Sequence, residues 1–319
     1  MAGDFIDYFQ EKAGEAAKDA QQSNALQDAV SQLKDRKLNV LLVGAAGCGK
    51  STTINALFRA DCAVVGYGPD PMTAHTTQYS LSDGFTLWDS PGFGDNPSRD
   101  NQYAKEIAAL LKRKGDDGNL LIDAVVVILD AMSRDLSSTY EMLENVIIPY
   151  MPDSRRIIVA LNKCDAAMSG RNWNVQERQP EPRLLDYMQK KVLSVKERIT
   201  GSTGIDCTPI FYSAWYRYNL TALLFNIVHG IPEEKRWMLA DSVKRDPDMW
   251  SVTDRLQNYG QDIQQEMSFS MEKALRTAAV GAASGASIGS LIPVVGPAVG
   301  AAVGAFLGFI GGGMNGGSS

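Results

Sequence analysis

Apolar positions along this chain alternate between two periods. Leu38-Asn39-Val40-Leu41-Leu42-Val43 is a short run of strand type. After a glycine-rich turn, Thr52-Thr53-Ile54-Asn55-Ala56-Leu57-Phe58 continues as a helix, predicted to reach about Arg59. Residues 61–76 are polar and irregular, with Gly66, Gly68, Pro69 and Pro71, and read as surface loop. Runs at 77–81 and 85–88 flank Ser82-Asp83-Gly84, a strong signal for a β-hairpin. Ser98 or Asp100 is placed to cap a helix running to about Lys114, with Gly115 at its end. The nearly unbroken apolar run 121–129 fits a central parallel strand buried on both faces. A helix is expected over 135–150, a strand over 156–161 and a polar loop over 166–182. A helix over 183–199, a strand over 208–212 and a helix over 219–228 follow. Strands alternating with helices predict an α/β fold, with a mostly parallel sheet, one antiparallel edge hairpin and right-handed crossovers.

The flanks follow other patterns. Phe5, Ile6, Phe9, Ala13, Ala16 and Ala20 fall at helical spacing, as do Leu26, Ala29, Val30 and Leu33. Packing against the chain's own body is the favoured reading for this amphipathic segment, with a partner or membrane surface as the alternative. From Pro232 onward no strand pattern recurs. Helices are expected over 232–245, 248–258 and 261–280, with breaks at Pro247 and Gly260. No charged side chain appears after Arg276, and glycines recur every fourth residue at 281, 285 and 289 and again from 296 to 312. Small residues at that spacing permit close helix packing, so a hairpin with its turn near Pro293–Pro297 is expected. Each half is short for a span of about 20 apolar residues, which favours a re-entrant or conditionally inserted hairpin over full crossing. A soluble packed hairpin is the competing reading. The expected parts are 1–36 helical, 37–231 an α/β domain, 232–275 helical, 276–313 the glycine-rich hairpin and 314–319 a tail.

Composition narrows the function. A net charge of −6 argues against a nucleic-acid partner. Cys48, Cys62, Cys164 and Cys207 lack metal-ligand or disulfide-framework spacing, which points to a reducing cytoplasm. Only His75 and His229 are histidines, so no His-rich metal site is expected. The N-terminus reads as lacking a signal peptide, and Ala2 rules out a myristoylation signal.

The candidate chemistry lies at the predicted strand ends. Gly44-Ala45-Ala46-Gly47-Cys48-Gly49-Lys50-Ser51 fits G-x-x-x-x-G-K-[ST] between a strand and a helix. Glycines let the backbone wrap an anion, the loop N–H groups face phosphates, Lys50 adds a charge, and the Ser51 hydroxyl can ligate Mg²⁺. Asp89-Ser90-Pro91-Gly92, Asn162-Lys163-Cys164-Asp165 and Ser213-Ala214 follow in order.

This ordered set resembles the GTPase superfamily, most closely Era-like bacterial GTPases and the immunity-related and dynamin-type GTPases with C-terminal helical regions. The resemblance covers about 38–231. It implies GTP and GDP as ligands, with Gly44, Ala46, Gly47, Cys48, Gly49, Lys50, Ser51 and Thr52 around the phosphates. It implies that Asp89 holds Mg²⁺ through water and that the Gly92 N–H meets the γ-phosphate. A switch threonine completes the Mg²⁺ shell. Thr73, Thr76 and Thr77 compete, and Thr73 is chosen because a strand must begin near Thr77 to pair with 85–88. Asp165 would accept from the guanine N1–H and exocyclic amine, Lys163 would cover the base, and Asn162 would tie its loop to the phosphate loop. Ser213 and Ala214 complete the base site, the Ala214 N–H donating to the guanine carbonyl. Lys50, Thr73 and Gly92 are the residues expected to carry phosphate chemistry.

One departure matters. Where small signalling GTPases place a water-orienting Gln, this chain has Phe93. Slow intrinsic hydrolysis, rising with self-association or a partner, is the expectation. Gly47 stands where potassium-stimulated relatives carry Asn, so no potassium dependence is expected. The leading reading is a GTP-hydrolysing switch, cytoplasmic or peripheral at a membrane, whose C-terminal region docks and releases. A membrane-active or pore-type effector and a soluble assembly protein are the rivals, and a ribosome-assembly role is opposed by the acidic charge.

Overall fold

The computed structural model describes residues 31, 33, 35–58, 76–82, 84–94, 96–240, 242–243 and 259–282. The expected N-terminal helix, the 61–75 loop, Thr73, the 248–258 helix and the hairpin beyond 282 lie outside these residues.

Strand β1 (Leu38–Gly44) enters the phosphate loop and helix α1 (Lys50–Leu57) leaves it. Strands β2 (Thr77–Ser80) and β3 (Phe85–Asp89) form the predicted antiparallel hairpin, and β2 begins at Thr77 as the pairing argument required. Helix α2 (Pro97–Lys112), β4 (Ala124–Asp130) and β5 (Ile157–Asn162) follow in turn. Between β4 and β5, helix α3 begins as Ser137–Met142, passes through a π-helical turn Leu143–Ile147 and closes as Ile148–Tyr150. Two short strands, β6 (Trp173–Asn174) and β7 (Gln179–Pro180), precede α4 (Pro182–Thr203). Then come β8 (Ile210–Phe211), α5 (Leu220–Gly230), a 3-10 segment Glu233–Leu239 and α6 (Tyr259–Ala282).

The main sheet has the order β2-β3-β1-β4-β5-β8, parallel throughout except for the β2–β3 edge pair. This is the α/β architecture predicted from the alternation. Its central strands are apolar on both faces because side chains alternate with period two between two cores. Val40, Leu42, Val126 and Ile128 pack with α1, α5, the 3-10 segment and α6. Leu41, Val43, Val125 and Val127 pack with α2, α3 and α4 on the other face.

Three local expectations need correction. Helix α2 is capped by Asn96, whose side chain accepts from the Ser98 and Arg99 N–H groups, rather than by Ser98 or Asp100. Pro97 occupies the first turn, where its missing N–H costs nothing, and this moves the cap one residue upstream of the proline. Asp100 instead accepts from the Gly94 N–H at 3.0 Å. The 166–182 stretch is not plain loop, since β6 and β7 pair within it. Over 232–245, the Glu233–Leu239 stretch is 3-10 rather than α-helical. Helix α6 begins at Tyr259, within two residues of the expected start at 261, and runs to Ala282. Among the described residues no helix is long and apolar enough to cross a membrane.

The C-terminal elements are fastened to the α/β body by polar contacts as well as by apolar ones. Lys235 pairs with Asp123 at 2.8 Å, and both side chains are largely buried. Asp123 also accepts from the Asn39 N–H at 2.9 Å, and Asn39 accepts from the Trp88 indole at 3.0 Å. Arg236 bonds Glu266 on α6 and the carbonyl oxygens of Ile231 and His229. Lys273 on α6 pairs with Glu233 at 2.7 Å.

Candidate functional site

The phosphate loop spans the C-terminal end of β1 and the start of α1. Gly47 and Gly49 hold φ of 70° and 95°, in the left-handed region that L side chains avoid. A Cβ on Gly49 would lie 2.3 Å from Asn162 Nδ2, so this position also has no room for a side chain. Lys50 is buried, and its ammonium donates to the Gly44 and Ala45 carbonyl oxygens at 2.9 and 3.3 Å. The charge is thus held over the loop in which a phosphate would sit. Thr53 Oγ1, one turn into α1, bonds the Gly49 carbonyl at 2.8 Å and meets the buried Tyr212 hydroxyl at 2.7 Å. This anchors the start of the helix. Thr52 is half-buried on the same first turn.

The Asp-x-x-Gly turn leaves β3 and rests on the phosphate loop. The Ala46 N–H donates to the Phe93 carbonyl at 2.9 Å. A Cβ on Gly92 would come within 2.5 Å of Ala46 Cα, so the two backbones touch. Phe93 is 1% exposed and packs in the core with Trp88, Tyr103 and Ile107. Its side chain therefore points into the protein, which agrees with the reading that it orients no water.

Asp89 is fully buried. Its Oδ2 accepts from the Ser51 hydroxyl at 3.0 Å, while its Oδ1 is buried without a hydrogen-bond partner. Burial raises the Asp89 carboxyl above its ordinary range, with the Lys50 charge and the Ser51 hydroxyl pulling it back. A carboxylate oxygen that is buried, partnerless and beside a serine hydroxyl fits a hard divalent cation. Mg²⁺ favours this donor set, taking one or two protein oxygens and completing its shell with phosphate and water. Among the described residues no cluster of three or more His, Cys, Asp or Glu is placed to hold a metal ion. Thr77, at the start of β2, is the register partner of Asp89.

The Asn162-Lys163-Cys164-Asp165 motif begins where β5 ends. Asn162 is 2% exposed and joins three loops. Its Nδ2 donates to the Cys48 carbonyl at 2.9 Å, and its Oδ1 accepts from the Ala214 N–H at 3.1 Å. The predicted tie between base loop and phosphate loop is present. The Ala214 N–H, expected to donate to a guanine carbonyl, here donates to Asn162 Oδ1, as a buried N–H must find an acceptor. Ser213 is fully buried and accepts from the Tyr216 N–H at 3.1 Å, which shapes the turn that presents Ala214. Lys163 adopts φ 63°, and its ammonium pairs with Asp130 Oδ2 at 2.7 Å. Asp165 keeps its Oδ1 buried without a partner. An uncompensated acceptor of that kind is expensive unless a donor arrives. Cys48 and Cys164 are buried and free, and burial pushes both thiols up, so they act as small packing groups.

Asp130 was not singled out from sequence. It ends β4 as a lone carboxylate outside any motif, and only its position one strand away from the Asn-Lys-x-Asp strand end could have flagged it.

Residues 39–163 match the family described as 50S ribosome-binding GTPase. No curated protein matches the chain. Among solved structures, a dimerization-deficient mutant of Toc33 from Arabidopsis thaliana is 15% identical with a TM-score of 0.41, covering 61% of this chain and 79% of that one. Era from Aquifex aeolicus, bound to GDP·AlF4−, is 19% identical with a TM-score of 0.40, covering 62% of this chain and 57% of that one. A probable GTP-binding protein, engB, is 20% identical with a TM-score of 0.38, covering 60% of this chain and 97% of that one. With the four motifs in order along the strand ends, the family match shows that residues 39–163 carry a domain of the P-loop GTPase superfamily.

Proposed function

We propose that this protein is a GTP-hydrolysing switch whose C-terminal helical region responds to the state of the nucleotide. The observation that carries the guanine reading is the buried, partnerless Asp165 Oδ1 beside the Asn162 bridge. Guanine offers two adjacent donors, N1–H and the exocyclic amine, and adenine offers no matching pair. Lys50 and the loop N–H groups bind the phosphates, and Ser51 and Asp89 would hold Mg²⁺, which supplies charge neutralisation between the β- and γ-phosphates. Thr73 is the proposed switch threonine. Gly92 brings the Asp-x-x-Gly backbone against the phosphate loop, where an N–H can sense the γ-phosphate.

Turnover by the isolated chain should be slow, because the buried Phe93 leaves no side chain at that position to orient water. A backbone group, another loop or a second subunit must do so. Coupling to the C-terminal region is supported by two contacts, one just after α1 and one in the β2–β3 turn. Phe58, which caps the C-terminus of α1, forms an antiparallel bridge with Val243. Gly84, in the β2–β3 turn, lies against Met238, where a Cβ would come within 2.6 Å of the methionine Cε.

The test is phosphate release from GTP and from ATP over a wide range of protein concentration. The reading expects GTP selectivity and a rate per molecule that climbs with concentration or with an added partner. Equal use of ATP defeats the guanine assignment. A fast rate at every dilution defeats the assisted mechanism. Replacing sodium with potassium should leave the rate unchanged.

A further inference from the structure

Away from the phosphate loop, a groove of about 700 Å³ opens between the β4–α3 connection and α4. That volume suits a small-molecule ligand. Lys190 and Lys191 are adjacent on α4, Arg198 follows about two turns later, and Arg134 lines the groove from the connection. Among the described residues Asp135 is the one carboxylate in the lining, and its Oδ1 already accepts from the Ser137 N–H at 2.9 Å. Lys190 shares its charge with the exposed Asp186 at 2.7 Å. Arg198 stacks over the Tyr140 ring at 4.6 Å, and neither it nor Arg134 forms a salt bridge among the described residues. Four cations around one groove stand out in a chain whose net charge is −6.

The groove is wired to the base site through one short connection. Lys191 Nζ donates to the Ala131 and Ser133 carbonyl oxygens at 2.6 and 2.7 Å. Between them, the Met132 N–H donates to Asp130 Oδ1 at 2.8 Å, and Asp130 Oδ2 holds Lys163. An anion that draws Lys191 or Arg134 toward itself pulls on the segment that positions the lysine of the guanine motif.

We infer that this groove is a second ligand site, for a phosphorylated small molecule, whose occupancy alters nucleotide retention through Asp130 and Lys163. The coupling half rests on the GTP-switch reading, while the binding half does not. Guanidinium and ammonium groups recognise phosphate oxygens by charge-assisted hydrogen bonds, and such binding weakens as salt screens it.

The full chain is dialysed to equilibrium against labelled inositol hexakisphosphate without Mg²⁺, alone and in saturating GDP. One equivalent should bind in both conditions, and Arg134→Glu with Arg198→Glu should weaken it at least tenfold. Lys190→Glu, an exposed change, should weaken it as well. Thermal unfolding confirms that the variants are folded. No binding, binding unaffected by the charge reversals, or binding lost in GDP overturns the site. In a second arm, the probe should change the dissociation rate of a fluorescent GDP analogue at least threefold in the wild type and leave it unchanged in Asp130→Ala. An unchanged wild-type rate overturns the coupling. If the analogue never binds, the GTP-switch reading fails while the dialysis still decides the groove.

Discussion

Gly92 and Phe93 are neighbours with opposite duties. The first must have no side chain, because the phosphate-loop backbone at Ala46 occupies that space. Gly92→Ala should push the two turns apart. GTP affinity should fall well below that of GDP, because only GTP reaches across both turns, and parallel titrations with the two nucleotides check this. Phe93 must have a large apolar side chain to fill the core beneath α2. Phe93→Gln should therefore not install a water-orienting group. It should cost about 2–4 kcal/mol, through a cavity and a buried amide, with no gain in hydrolysis. Urea midpoints and phosphate release measure the two halves of that statement. Asp165→Ala should lower GDP affinity by about 30- to 700-fold, the effect of about 2–4 kcal/mol for two hydrogen bonds to a charged acceptor. Unchanged affinity would remove Asp165 from the base site. Residue identity at these positions could be read from the sequence because each motif needs particular atoms at fixed spacing. The second roles could not. Asn162 Oδ1 engaging the Ala214 N–H, and Asp130 holding Lys163, are contacts between strand ends remote in sequence, and no local pattern encodes them.

At the scale of elements, the long apolar runs and the Asp-Gly turn were enough to predict β1, β3, β4, β5 and the edge hairpin. The β6–β7 pair escaped because two residues per strand, one of them Pro180, carry no period. Gly260 is tolerated in the first turn of α6 because one glycine costs only about 1 kcal/mol, less than the packing of Ile263, Met267 and Met271 against the body provides. The joint between the 3-10 segment and the sheet is electrostatic. Burial raises the Asp123 carboxyl above its ordinary range, and Lys235 opposes the rise. With the folded value above the unfolded one, the stability linked to Asp123 is full below the unfolded carboxylate range. It is lost as pH rises through the folded value. Lys235→Met should deepen that loss, costing about 3–5 kcal/mol at neutral pH because a buried carboxylate is left unpaired. The cost should shrink in acid, where Asp123 takes up a proton. Denaturant titrations at neutral and acidic pH test this, and an equal cost at both would show that Lys235 does not neutralise Asp123.

At the scale of the molecule, the C-terminal elements touch the body just after α1 and in the β2–β3 turn, through Phe58–Val243 and Gly84–Met238. Amide exchange in 233–239 and in the first turns of α6 should differ between the GDP form and a form bound to a non-hydrolysable GTP analogue. Identical protection in the two forms would leave the C-terminal region without a part in the switch.

The Asn162 bridge has a further consequence for how the ligand is held. One amide fixes the distance between the loop for the base and the loop for the phosphates before either is filled. On the proposed reading, a nucleotide would bind as a chelate. Once one end is seated, the other meets its half-site at a high effective concentration, and the whole gains far more than either end alone. Asn162→Ala should therefore leave guanosine and inorganic triphosphate binding nearly as before, while the affinity for GTP, which joins them, collapses.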